Sequence, residues 1–191
     1  QLQSDRVRAV LRVLDDAKST YRTTFGALYQ EVFKARREAN DNSKYLATME
    51  DYIFNLNGSD DFPALPEIFR PMMHVFLLIW KNSKHYSKSP ARLVVLMREM
   101  CNSIVDQARK FVSGTLLSDR IEQEKPHVGA DMVKTTIDVC TQFQNTYQEY
   151  KATASVECPS NPWRVQNTAL FVRLDSFIER CRDVLELLTT I

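Results

Sequence analysis

Glycine is scarce: the chain has four among 191 residues, where average usage of about 7% would supply about thirteen. Glycine provides the positive-φ turns and close backbone approaches on which phosphate loops, tight hairpins and nucleophile elbows depend. Its scarcity argues against a sheet-rich nucleotide enzyme. None of Gly26, Gly58, Gly114 and Gly129 is followed by lysine, so the Gly-x-x-x-x-Gly-Lys-Ser/Thr loop that cradles phosphates is absent. Histidine is scarce too, with only His74, His85 and His127, and no pair of Glu-x-x-His segments falls on facing helices as a bundle di-metal site requires. His74 sits in an apolar run and reads as a core or boundary histidine rather than a ligand. The four cysteines, Cys101, Cys140, Cys158 and Cys181, stand far apart without Cys-x-x-Cys or zinc spacing. They read as buried reduced thiols rather than disulfides. Charge of one sign is also missing. Lysine and arginine number 25 against 24 aspartate and glutamate, so no global field draws the chain to nucleic acid or an anionic membrane. The longest apolar run, Met72 to Trp80, is about half the length of a membrane span. No cofactor, metal or catalytic group is expected.

Helical periodicity is abundant. With 44% hydrophobic and 26% charged residues, the composition is that of a water-soluble globular chain. Val7, Leu11, Leu14, Lys18, Tyr21, Phe25, Leu28, Val32 and Ala35 recur at spacings of three and four, interrupted only by Lys18. Strict alternation cannot make this pattern, and one face of a helix does. The pattern predicts a helix over about 4–39, a break at Asn40-Asp41-Asn42-Ser43, and a second helix over 43–56. A third is predicted over 66–84, opened by Pro66 and restarted or kinked at Pro71; its segment Met72 to Trp80, apolar nearly all round, should be central. Ser89 and Pro90 read as N-cap and first residue of a helix over 90–113, with Gly114 as its C-cap. Short and long helices are predicted over 115–124 and 131–150, and a last one from about Trp163 to Thr189. The fold class is therefore all-α, about six helices in one or two bundles without a sheet. Residues 1–125 are expected to form a first bundle, with 126–191 packed on it or beginning the next. Helical patterns run to both ends without a targeting segment, which reads as a piece of a longer polypeptide.

Few residues suggest chemistry. Asp15/Asp16, Glu50/Asp51 and Asp60/Asp61 are adjacent, so a helix splays them and they read as solvated faces rather than acid–base pairs. Asn57-Gly58-Ser59 fits a glycosylation sequon and reads as a turn. Arg173 and Asp175 flank the core stripe of the last helix that includes Phe177. They form either a boundary salt bridge or a pin between helices or subunits. Lys81, Lys84, His85, Lys88 and Arg92 make a basic patch beside Trp80 and Tyr86. Because these aromatics continue a core stripe, the patch suits an acidic protein partner or a solvated linker better than nucleic acid. Trp80 itself is expected to be buried against Leu93, Met97 and Cys101. Tyr29, Phe33, Tyr45 and Tyr150 fall off the main stripes, where aromatics often anchor interfaces.

Three segments resemble a known family. Phe69-Arg70-Pro71-Met72-Met73-His74-Val75-Phe76-Leu77-Leu78-Ile79-Trp80-Lys81-Asn82-Ser83-Lys84-His85-Tyr86 is similar to the N-terminal tail of dynein heavy chains, the axonemal ones in particular. Ser89-Pro90-Ala91-Arg92-Leu93-Val94-Val95-Leu96-Met97-Arg98-Glu99-Met100-Cys101-Asn102 follows at the expected distance. Phe171-Val172-Arg173-Leu174-Asp175-Ser176-Phe177-Ile178-Glu179-Arg180 resembles that family's Phe-Ala-Arg-Leu-Asp-x-Phe-x-Glu-Arg segment, with Val172 in place of the usual alanine. The resemblance covers about residues 65–190. It implies a non-catalytic stem segment, whose motor has its ATP sites in a AAA+ ring far downstream. It also implies dynein intermediate and light chains, other heavy-chain tails and docking proteins as partners, in the axoneme of a cilium or flagellum. A helical adaptor or tethering-complex subunit unrelated to dynein is the alternative.

Overall fold

The computed structural model describes residues 5–86, 89–113, 126–158 and 166–190. The predicted helix over 115–124, its neighbour Gly114, Lys88 and Trp163 lie outside them. The described residues form six α-helices, one 3-10 turn and no strand: α1 (Asp5–Asp16), α2 (Tyr21–Gly58), the turn Phe62–Ala64, α3 (Pro66–Asn82), α4 (Pro90–Phe111), α5 (Pro126–Glu157) and α6 (Asn167–Thr190). The all-α reading is correct. Two compact units divide the chain, Gln1–Lys44 and Tyr45–Ile191, and α2 runs through the boundary.

In the first unit the break falls at Lys18 instead of residues 40–43. Lys18 has a φ of 46°, the left-handed conformation that commonly ends a helix and usually falls to glycine. Ser19 N–H donates to Leu14 C=O (3.0 Å) and Lys18 N–H to Asp15 C=O (3.1 Å), the crossed pair of a Schellman cap. Ser19 Oγ then accepts from Tyr21 N–H at 3.3 Å to start α2, and Arg22 pairs with Asp15 across the break. Asn40-Asp41-Asn42-Ser43 lies inside α2, so the predicted separate helix over 43–56 is part of it. These residues each cost a helix well under about 1 kcal/mol relative to alanine, less than glycine and far less than proline. None of the described residues of this unit is buried.

The second unit holds the core. Met49 and Leu56 of α2 are buried in it with Phe62, Leu65 and one wide face each of α3 to α6. α5 and α6 make the most extensive pairing, followed by α4 with α6 and α3 with α5. Aromatic rings link three helices: Phe69 (α3) meets Phe143 (α5) edge-on at 5.2 Å, and Phe171 (α6) meets Phe143 at 6.3 Å and Tyr147 at 5.1 Å. Edge-to-face pairs of this kind add about 0.5–1.5 kcal/mol each beyond their buried area. A stacked pair, Phe62 with Phe111 at 5.2 Å, fastens the 3-10 turn to the end of α4. Buried Thr136 and Thr146 satisfy their hydroxyls on the carbonyls four residues back, at 2.9 and 2.8 Å, so helix interiors tolerate them.

Several local expectations need correcting. α3 does have a wet side: His74 is exposed and Leu78 is 40% exposed. Pro71, His74 and Leu78 recur at three and four positions, so they share one flank. His74 is therefore not a core histidine. Pro71 lies within α3 without ending it. α3 and α4 bury the same share of their residues, seven of 17 and nine of 22. α4 ends on Val112 as C-cap, ahead of Gly114, and Ser89 occupies its N-cap without a side-chain hydrogen bond. α5 begins at Pro126, ahead of the expected 131, and so includes His127. In α6 the inward stripe is Leu170, Phe171, Leu174, Ile178 and Cys181, while Val184 is 36% exposed.

Candidate functional site

Among the described residues no group of three or more His, Cys, Asp or Glu could hold a metal ion. Nor, among the described residues, is any helix long and apolar enough to cross a membrane. All four cysteines are free thiols, and Cys101, Cys140 and Cys181 are buried. Burial pushes the Cys101 thiol up to about 12, with the Asp175 carboxylate adding a smaller push. Burial, with a smaller contribution from Cys181, raises Cys140 to about 12. Such thiols stay protonated at neutral pH, and the thiol is not the nucleophile. A cleft of about 390 Å³ at the end of α2 has Asp60, Phe62, Gln107 and Lys110 in its walls. Among the described residues that line it, Asp60 is the only carboxylate.

Polar side chains instead run from helix to helix. Arg173 on α6 donates to Asn102 Oδ1 at 2.8 Å and Asp106 Oδ1 at 2.7 Å, both on α4. Asp175, two residues on, accepts from Gln144 Nε2 on α5. The two residues thus diverge to different helices. Arg98 Nε on α4 reaches the carbonyl of Ala169 on α6 at 2.9 Å. Between α3 and α5, Arg70 pairs with Glu149 at 2.9 Å, and Lys81 with Glu157. Lys81 Nζ donates to the Glu157 carboxylate, and that hydrogen bond raises the Lys81 pKa. Buried Gln107, on α4, donates to the carbonyl of Asn57 at the end of α2.

The remaining candidates separate by burial. Trp80 is 2% exposed and belongs to the core cluster, which also contains Leu93, Met97 and Cys101. Phe177 and Tyr86 are half-buried and pack against that cluster. The Arg92 guanidinium lies 5.9 Å from the centre of the Tyr86 ring, a cation–π distance. Of the basic patch, Lys81 is committed to Glu157, Arg92 to Tyr86, and Lys84 is exposed. Tyr45 and Tyr150 rest against the core, while Tyr29 and Phe33 stack on each other at 6.2 Å in the first unit. Sequence reasoning missed Asn102, Asp106, Gln144, Glu149 and Glu157 as partners. They lie 31 to 79 positions from the residues they hold, and no local spacing signals them.

Arg173 and Asp106 are 42% and 55% exposed, so water screens their attraction. A double-mutant cycle of Arg173→Ala and Asp106→Ala, followed by urea unfolding, should return a coupling of about 0–1 kcal/mol. A coupling above about 2 kcal/mol would mark the pair as more than a boundary tie.

The family described as "Dynein heavy chain, N-terminal region 1" matches residues 1–191. The chain is 46% identical over 190 residues to "Dynein beta chain, flagellar outer arm" of Chlamydomonas reinhardtii. It is 31% identical over 195 residues to human "Dynein axonemal heavy chain 9", and 26% identical over 196 residues to "Dynein beta chain, ciliary" of Tripneustes gratilla. Each alignment takes in 100% of this chain and 4% of the relative's length.

Proposed function

We propose a non-catalytic role for this chain, which belongs to the dynein heavy chain family and matches its N-terminal region 1. It is a stem segment of an axonemal heavy chain, a structural and subunit-assembly module that links the motor to partner chains and to the cargo microtubule. The parent polypeptide is then an ATP-driven microtubule motor of the cilium or flagellum, and these residues contribute no nucleotide site to it. One observation carries this reading. The charged and polar side chains that could have converged on a cleft are spent on ties between helices, as with Arg173, Asp175, Arg70 and Lys81. A bundle braced in this way holds its outer faces in fixed register, which suits docking of other chains rather than closure on a substrate. The partners are intermediate and light chains, other heavy-chain tails and docking proteins. Membership of the family sets aside an adaptor unrelated to dynein.

Amine cross-linking of the intact motor complex tests the reading. Lys84 is exposed in the turn after α3, and Lys110 and Lys134 are exposed on α4 and α5. At least one of them should be found joined to an intermediate chain, a light chain, a docking protein or a second heavy-chain tail. Cross-links confined to the same heavy chain would reduce the segment to a spacer.

A further inference from the structure

Seven prolines punctuate the chain, and Pro90 alone follows a hydroxyl residue. The others follow Phe62, Leu65, Arg70, Lys125, Cys158 and Asn161. Ser89-Pro90-Ala91-Arg92 is thus the single Ser/Thr-Pro step of these 191 residues, with a basic side chain three positions after the serine. A proline-directed serine/threonine kinase reads this order: beside the acceptor a proline, which offers no N–H and fixes φ, then a cation to meet acidic groups on the enzyme. The surrounding sequence is basic. Between Glu67 and Glu99 it holds no carboxylate and six lysines and arginines. The structure leaves this serine available. Ser89 is partly exposed and Pro90 is exposed. The Ser89 backbone is extended, with φ of −126° and ψ of 89°, and its hydroxyl makes no capping hydrogen bond to α4. Serine at an N-cap ordinarily accepts from the N–H of the second or third helical residue. Here Arg92 N–H donates to the Ser89 carbonyl instead, at 3.0 Å. A first turn held by backbone bonds alone opens at small cost, as entry into an extended kinase groove requires.

We propose that Ser89 is a phosphorylation site for a proline-directed kinase, and that the phosphate supplies the cap that α4 lacks. The step transfers the γ-phosphoryl group of ATP. The Ser89 Oγ–P bond forms, the bond from the γ-phosphorus to the β,γ-bridging oxygen breaks, and ADP leaves. The hydroxyl proton passes to the kinase's catalytic carboxylate and on to solvent. Three acceptor oxygens and a charge of about −1.5 to −2 then stand at the N–H groups that a helix start leaves unmatched. The helix dipole favours an anion there. Arg92, three positions on, and Lys84, exposed in the preceding turn, add positive charge. Phosphorylation of Ser89 does not depend on the subunit-docking role.

The intact motor, stripped of phosphate with a phosphatase, is incubated with Mg·ATP and a purified proline-directed kinase, and its phosphopeptides are mapped by mass spectrometry. Within residues 1–191, phosphate should be found at Ser89 at several-fold higher occupancy than at any other serine or threonine. Pro90→Ala keeps the serine and places a good helix former in the first turn, and it should lower that occupancy several-fold. Hydrogen exchange of the amides of residues 91–94 should slow several-fold on phosphorylation. The same amides should exchange at an unchanged rate in Ser89→Ala, because the hydroxyl removed capped nothing. Absence of phosphate at Ser89, or equal labelling of the Pro90→Ala chain, overturns the site. Exchange that fails to slow on phosphorylation, or that quickens in Ser89→Ala, overturns the capping role.

Discussion

Phe143→Ala should lower the unfolding free energy by about 3–5 kcal/mol. Phe143 is 0% exposed and its ring touches Phe69 and Phe171, on two other helices, at 5.2 and 6.3 Å. Truncation removes the transfer free energy of the ring and two edge-to-face contacts, and it leaves a void where α3, α5 and α6 meet. Helices tied to one another by side chains and salt bridges cannot collapse freely into that void, which places the cost in the upper part of the range. Against a typical domain stability of about 5–15 kcal/mol, the loss is a large share. Urea unfolding followed by circular dichroism measures it as a fall in midpoint at constant slope. Phe54→Ala is the control: Phe54 is 76% exposed, so its removal should shift stability by no more than about 0.5 kcal/mol. Equal midpoints for Phe143→Ala and the unaltered chain would refute the packing described for the three helices.

Trp80→Ala should cost a similar amount, about 3–5 kcal/mol, on a different side of the core. Trp80 closes the last turns of α3 and is 2% exposed, within the cluster that also contains Leu93, Met97 and Cys101. Tryptophan reports on its own burial. In a Trp163→Phe background, Trp80 is the sole indole of the chain, and its native emission should be blue-shifted and poorly quenched by acrylamide. Red-shifted, readily quenched emission from the folded chain would place Trp80 in water and remove the basis of the prediction.

Local pattern carried much of this. The helices over Pro66–Asn82 and Pro90–Phe111 lie within two residues of the expected 66–84 and 90–113, because apolar spacing and prolines at the first turn both act within a few residues. Lys18, the one polar residue on the long stripe, marked the true break. A left-handed cap on lysine lacks the glycine that usually announces one. Asn40 to Ser43 looked like a break by composition, yet weak helix formers without glycine or proline do not stop a helix already under way. For the candidate site, Arg173 and Asp175 were legible as residues flanking a core stripe. What they hold was not.

The sequence by itself determined that the chain is helical, where most of its helices run, that it lacks a phosphate loop, and which family it resembles. Each of these is written in neighbouring residues, since a helix hydrogen-bonds four positions back and a motif is read in order. Only the tertiary structure decided that His74 faces water, and that Arg70, Lys81 and Arg173 reach Glu149, Glu157 and Asp106. An apolar run can be wrapped on any of several flanks, and the flank left open is set by the helices that pack against it. Those helices come from 67 to 79 positions away in the case of these three pairs, beyond the reach of any local period.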